Sequence, residues 1–297
     1  MNNRLLAHLA LFGANLIYGI NYTVAKAVMP DYIQPLGFIL VRVTGAVLMF
    51  WLCYSLFYYE KVQRKDLLKL AACGLFGVAI NQMLFFEGLN LTTPINAAVI
   101  MVSNPILVLL FGFFLATESF TTQKGIGVAL GAIGALTLIT NGGQITMNSE
   151  HFWGNIMVLV NASSYAVYLV LVKPMMSKYK PITVISWVFL FGFLFVIPFG
   201  WSDFQAIQWA TMPTSILWKV VFVVVGTTFL AYLFNIYGLQ TLNPSTVSTY
   251  IYLQPVLASI VAVLASSDEL NFIKIVSTIL IFLGVYVVSQ KTKVIQD

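Results

Sequence analysis

Amide and aromatic side chains recur at helical spacing inside otherwise apolar stretches of this chain. Asn15, Tyr18 and Tyr22 stand at i, i+3 and i+7, one face of a helix. Similar groups follow in Asn81, Gln82 and Phe85, in Asn161, Tyr165 and Tyr168, in Tyr232 and Asn235, and in Ser248, Tyr250 and Gln254. Met101 and Asn104 belong to a further stretch. A buried amide without a partner costs several kcal/mol in hydrocarbon, so these groups must face protein or a wet cavity. Together they can bind and orient a small polar solute; singly, each serves a helix–helix hydrogen bond equally well. Bond-breaking chemistry would need a nucleophile with its base, a metal cluster or paired carboxylates. The two histidines, His8 and His151, fall near helix starts, and no HExxH, GxSxG or acidic cluster occurs. Cys53 and Cys73 read as inert buried thiols. No enzyme activity, metal or cofactor is therefore expected.

Charges inside the apolar stretches are few: Lys26, Arg42, Glu87 and Lys173. Lys26 and Lys173 lie near stretch ends, where each could snorkel to headgroups or gate an anionic group. Arg42 lies about nine residues in, roughly 13 Å at 1.5 Å per residue, deep enough to need a partner or water. Glu87 is the partner expected by depth. No carboxylate falls near mid-depth, which favours facilitated diffusion over a proton relay. Pro105 and Pro255, preceded by Asn104 and Gln254, fall about eleven residues into their stretches. Proline removes a backbone hydrogen bond and kinks a helix. The pair reads as flexing kinks beside a cavity, or as static ones.

The elements that must position these residues follow from composition. Of 297 residues, 60% are hydrophobic and 8% charged, so lipid is the fitting solvent. Ten stretches can span a bilayer: 6–28, 33–56, 68–89, 94–116, 123–140, 152–175, 182–200, 216–239, 244–265 and 271–289. The first reads as a retained helix and not a cleaved signal. The expected fold is thus an all-α integral membrane protein of ten transmembrane helices. Arg4, Lys61, Arg64, Lys65, Lys124, Lys178, Lys180, Lys291 and Lys293 fall on one side, against Asp31, Glu150 and Asp203 on the other. The basic side is expected to be cytoplasmic, with both termini inside, in a bacterial inner (plasma) membrane. The net charge of +5 lies in short loops and does not suggest nucleic acid. The expected partners are a small-molecule solute and lipid, with the chain a monomer or homodimer. Gly127, Gly131 and Gly134 form a small-residue face suited to close helix contact or a dimer.

The sequence also repeats. At an offset of 150, Leu89, Pro94 and Pro105 match Leu239, Pro244 and Pro255, and Gly88, Glu118 and Gly134 match Gly238, Asp268 and Gly284. At slightly smaller offsets Tyr18, Lys26 and Pro35 match Tyr165, Lys173 and Pro181. Residues 1–140 and 152–290 are therefore read as two five-helix repeats, with 291–297 a cytoplasmic tail. Five is odd, so the halves must have opposite orientation. Inverted repeats of this kind build alternating-access carriers with a midplane site between the halves.

The chain resembles the EamA branch of the drug/metabolite transporter superfamily. The resemblance rests on Gln34-Pro35 with Arg42, on Pro94-x10-Pro105 followed by Glu118, and on Pro244-x10-Pro255 with Asp268-Glu269. Val188 stands where an exact repeat would place a second Arg. The resemblance implies small-solute transport, often export of amino acids or related metabolites. Nucleobases, sugars or anionic metabolites, with proton coupling, are the alternative; a receptor, scaffold or embedded enzyme is a distant one.

Overall fold

The computed structural model describes residues 3–57, 59–114, 121–139, 149–241 and 250–289. Glu118, Pro244, Ser248 and the tail 291–297 lie outside them, as does the side chain of Pro105. Most of the described residues are helical, with no strand among them. In the first half run α1 (Asn3–Lys26), α2 (Pro35–Phe57), α3 (Leu67–Gly74), α4 (Asn81–Leu91), α5 (Pro94–Met101), α6 (Asn104–Phe114) and α7 (Thr122–Ile139). The second half has α8 (Glu150–Lys178), α9 (Pro181–Gln205), α10 (Thr214–Val221), α11 (Ala231–Thr241), α12 (Leu253–Leu264) and α13 (Phe272–Ser289). Among the described residues six continuous stretches are long and apolar enough to cross a bilayer; a seventh passes as α5 with α6, bent by 43°. Outward-facing Leu48, Leu52, Phe199 and Leu264 are more than half exposed, as lipid contact requires.

Two π-helical segments interrupt these stretches: Leu75–Ile80 joins α3 to α4, and Phe222–Leu230 joins α10 to α11. They overlap at the repeat offset of 150. Nothing in residue type announced them; wide π turns recur at functional sites because they re-aim side chains.

The helix pairings repeat in the same way. α4 packs on α8 while α1 packs on α11, and α5 and α6 pack on α8 while α12 packs on α1. α2 lies against α9, α5 against α12 and α7 against α13. The α4–α8 crossing is antiparallel. Gly88 and Thr92 near the end of α4 meet Gly154 and Asn155 near the start of α8, with Thr92 Oγ1 donating to Asn155 Oδ1 at 2.5 Å. At the other end, Asp66 before α3 pairs with Lys178 and accepts from the Tyr179 hydroxyl at 2.5 Å. The glycine face of α7 is occupied within the chain: a Cβ at Gly284 of α13 would lie 2.6 Å from Gly127 O and Gly131 N. That face is a helix crossing and not a surface left for a second copy.

The prolines differ from the mid-helix kinks expected of them. α5 ends at Met101, Val102 and Ser103 form a turn, and Pro105 stands in the first turn of α6. Pro255 likewise stands in the first turn of α12, directly after a 3-10 turn at Tyr250–Tyr252. A helix start is where proline is tolerated, because the N–H it lacks would be unpaired there. The breaks precede the prolines, and the prolines open the segments that follow.

Candidate functional site

A cavity of about 130 Å³ lies where α1, α2, α4, α5, α6, α8, α11 and α12 converge. From the first half come Asn15, Tyr18, Asn21, Tyr22, Arg42, Asn81, Gln82, Phe85, Met101 and Asn104. The second half supplies Asn161, Tyr165, Thr227, Tyr232, Asn235, Ile251 and Gln254. No carboxylate lines it among the described residues, and Arg42 is its one cation.

Much of the amide lining is held by bonds between helices. Asn81 and Asn161 are reciprocal: Asn81 Nδ2 donates to Asn161 O at 3.3 Å, and Asn161 Nδ2 donates to Asn81 O at 2.6 Å. Asn104 Nδ2 donates to Ala162 O at 2.9 Å, while its repeat partner Gln254 donates from Nε2 to Asn15 Oδ1 at 2.9 Å. Gln254 Oε1 in turn accepts from the Tyr22 hydroxyl at 3.2 Å. These links tie the two halves across the cavity and fix the amides that border it. Gln82 is different: it is 3% exposed, and its amide lies beside the Tyr232 hydroxyl without a well-aligned bond.

Arg42 does not pair with Glu87. Its Nε donates to Thr228 Oγ1 at 2.5 Å and its guanidinium lies over the Phe86 ring, 5.2 Å from the centroid. No carboxylate lies within 4 Å of it among the described residues. Successive helical residues are about 100° apart, so the face of α4 that turns Phe86 to Arg42 turns Glu87 away. Thr228 lies in the second π-helical segment and donates its own proton to Val223 O at 2.9 Å, five residues back. With its proton given to that carbonyl, the hydroxyl oxygen is left to receive Arg42.

Tyr168 and Tyr250 do not line the cavity. Tyr168 packs over Gly77 of the first π-helical segment, where a Cβ would lie 2.4 Å from its ring. The Tyr250 hydroxyl bonds His8 Nδ1 at 2.7 Å near the start of α1. Asn21, Thr227 and Ile251 were missed. Asn21 had a signal, standing three residues after Tyr18 and beside Tyr22; Thr227 had none, because the π turn brings it in, where it donates to Asn21 Oδ1 at 3.1 Å.

Lys26 is not a snorkelling lysine. Its Nζ donates to Leu89 O at 3.1 Å, to Asn90 O at 3.3 Å and also to Thr92 O, capping the carbonyl end of α4. The next turn is held from the second half: Asp268 Oδ2 accepts from Ile95 N at 3.1 Å, at the amide end of α5. Asp268 is itself paired with Lys274 at 2.5 Å. Lys173, the repeat partner of Lys26, is exposed on α8.

Similarity to known proteins agrees with this architecture. A profile described as the EamA-like transporter family matches residues 5–140 and 152–290. The chain is 26% identical over 293 residues to an uncharacterized transporter of Archaeoglobus fulgidus, covering 98% of this chain and 99% of that one. It is 23% identical over 285 residues to the uncharacterized transporter YyaM of Bacillus subtilis, covering 95% and 93%. A solved crystal structure shares the fold with a TM-score of 0.63 at 19% identity, covering 96% of this chain and 97% of that one. Apolar helices of spanning length and a family match over both halves lead to one conclusion: this multi-pass membrane protein belongs to the EamA-like transporter family.

Proposed function

We propose that the chain is an alternating-access carrier of small polar metabolites, an exporter or facilitator of amino acids or related compounds. In this reading ten spans form two inverted five-helix halves, with both termini cytoplasmic, in a bacterial inner membrane. The cavity bordered by Tyr18, Tyr22, Arg42, Gln82, Tyr165 and Tyr232 is the solute site, and no cofactor is required. The observation that carries the reading is that both halves wall the cavity through repeat-related contacts, Asn104 to Ala162 and Gln254 to Asn15. Such a site can be exposed to either face by rocking one half against the other. The two ends of the bundle supply a further argument. Lys26 and Asp268 hold the α4–α5 turn at one end, whereas the repeat-related Lys173 is exposed. Alternation would exchange which end is held.

A carrier and an open pore differ in counterflow. Proteoliposomes preloaded with an unlabelled amino-acid mixture are expected to take up labelled amino acids several-fold faster than empty vesicles. Uptake indifferent to the internal load would refute the carrier reading.

A further inference from the structure

We infer that Arg42 is the docking point for the solute's carboxylate, so that the substrate class is small carboxylates, zwitterionic amino acids included, and excludes cations. This rests on the carrier reading of the same cavity. Arg42 is 5% exposed. A buried cation without a counter-charge is costly, and the Phe86 ring and the neutral Thr228 hydroxyl compensate it only in part. Among the described residues its two terminal nitrogens have no protein acceptor, yet the residue borders the cavity.

The way Arg42 is held decides which ligand suits it. Thr228 occupies Nε and Phe86 lies against the guanidinium face. The edge that remains is the pair of terminal nitrogens, two parallel donors whose spacing matches the two oxygens of a carboxylate. A neutral amide offers one oxygen to that fork and no charge. A cation would meet Arg42 with no carboxylate among the described lining residues to offset the repulsion. Gln82 borders the same cavity, its buried amide beside the Tyr232 hydroxyl, and can offer the solute a second polar contact. Volume limits the occupant. An apolar cavity of about 150 Å³ admits benzene, so a cavity of about 130 Å³ suits a short-chain acid. The second half has Val188, 1% exposed, at the position equivalent to Arg42. The carboxylate therefore sits off the axis that relates the halves.

The test compares acids with amides of the same shape on the purified full-length protein. Thermal unfolding is followed with propionate against propionamide, benzoate against benzamide, and alanine against the cationic alaninamide. At least one acid should stabilise the wild type, with apparent affinity about tenfold to a hundredfold above its amide. Arg42→Gln should erase that preference, and Arg42→Lys, which keeps the charge but not the fork, should retain part of it. Amides that stabilise the wild type as well as their acids would overturn the inference without recourse to any variant. So would an acid preference that survives in Arg42→Gln. Counterflow of the same compounds separates the two readings. Acids that bind through Arg42 but never exchange would keep this site and remove the carrier function. Neutral solutes that exchange equally in wild type and Arg42→Gln would keep the carrier and remove the carboxylate site.

Discussion

Replacing Asp268 by Ala is expected to destabilise the folded protein by about 3–5 kcal/mol, the cost typical of leaving one partner of a buried ion pair behind. The Asp268 and Lys274 side chains are 5% and 10% exposed. Without the carboxylate, Lys274 Nζ keeps only Glu269 O, at 2.8 Å. The amide of Ile95 at the start of α5 loses its acceptor as well. Both losses act on the turn that Lys26 holds from the other side, so the end of the bundle loosens as a unit. Asp268→Asn should fall between, because it can still accept from Ile95 N but cannot neutralise Lys274. Removing both charges with Asp268→Ala and Lys274→Met should recover much of the loss, since a buried pair replaced by apolar groups is often near neutral. Unfolding midpoints of the four proteins in one detergent check the order.

Gly154→Val is the second large effect expected. A Cβ at Gly154 would lie 2.8 Å from Gly88 O and from Thr92 N, and 2.9 Å from Leu91 C. All three are backbone atoms, which cannot turn aside as a side chain can. α4 and α8 would have to separate, which would also break the Thr92–Asn155 hydrogen bond in the same crossing. Overpacking of this kind costs about 1–3 kcal/mol for a modest group, so Gly154→Ala should be measurably unstable and Gly154→Val should scarcely fold. Gly13→Ala is the contrast: its nearest neighbours are Phe234 ring atoms at 3.4 Å and beyond, ordinary contact. That variant should match the wild type in yield of monodisperse protein and in unfolding midpoint.

The helical character of the chain and most of the cavity wall were legible in the sequence because each depends on spacing within one helix. Asn15, Tyr18 and Tyr22 share a face by arithmetic alone, and so do Asn81 with Phe85 and Tyr232 with Asn235. An offset of 150 relates Asn104 to Gln254 and one of 147 relates their partners Asn15 and Ala162, so the two amides make equivalent contacts. What could not be read depends on geometry between helices. The π turns bring in Thr227 and Thr228 by widening the backbone, which residue type does not signal. The Arg42–Glu87 pairing was inferred from depth, but depth ignores azimuth, and Phe86 holds the face that Glu87 would have needed. Lys26 looked like a snorkelling residue because nothing in its neighbourhood of sequence shows that the end of α4, sixty-three to sixty-six residues later, offers it three carbonyls. The prolines marked breaks in the helices correctly, but on the wrong side: the turn comes first and the proline begins the next helix.

The proposed transport path is the cavity between the halves. Met101 borders that cavity at the end of α5, is partly buried, and makes no polar bond that its loss would disturb. In a protein with Cys53→Ser and Cys73→Ala, Met101→Cys places one thiol there. Treatment with a membrane-impermeant methanethiosulfonate should modify that thiol and stop solute exchange in proteoliposomes, and saturating solute should slow the modification. Complete modification with exchange undiminished would contradict that path.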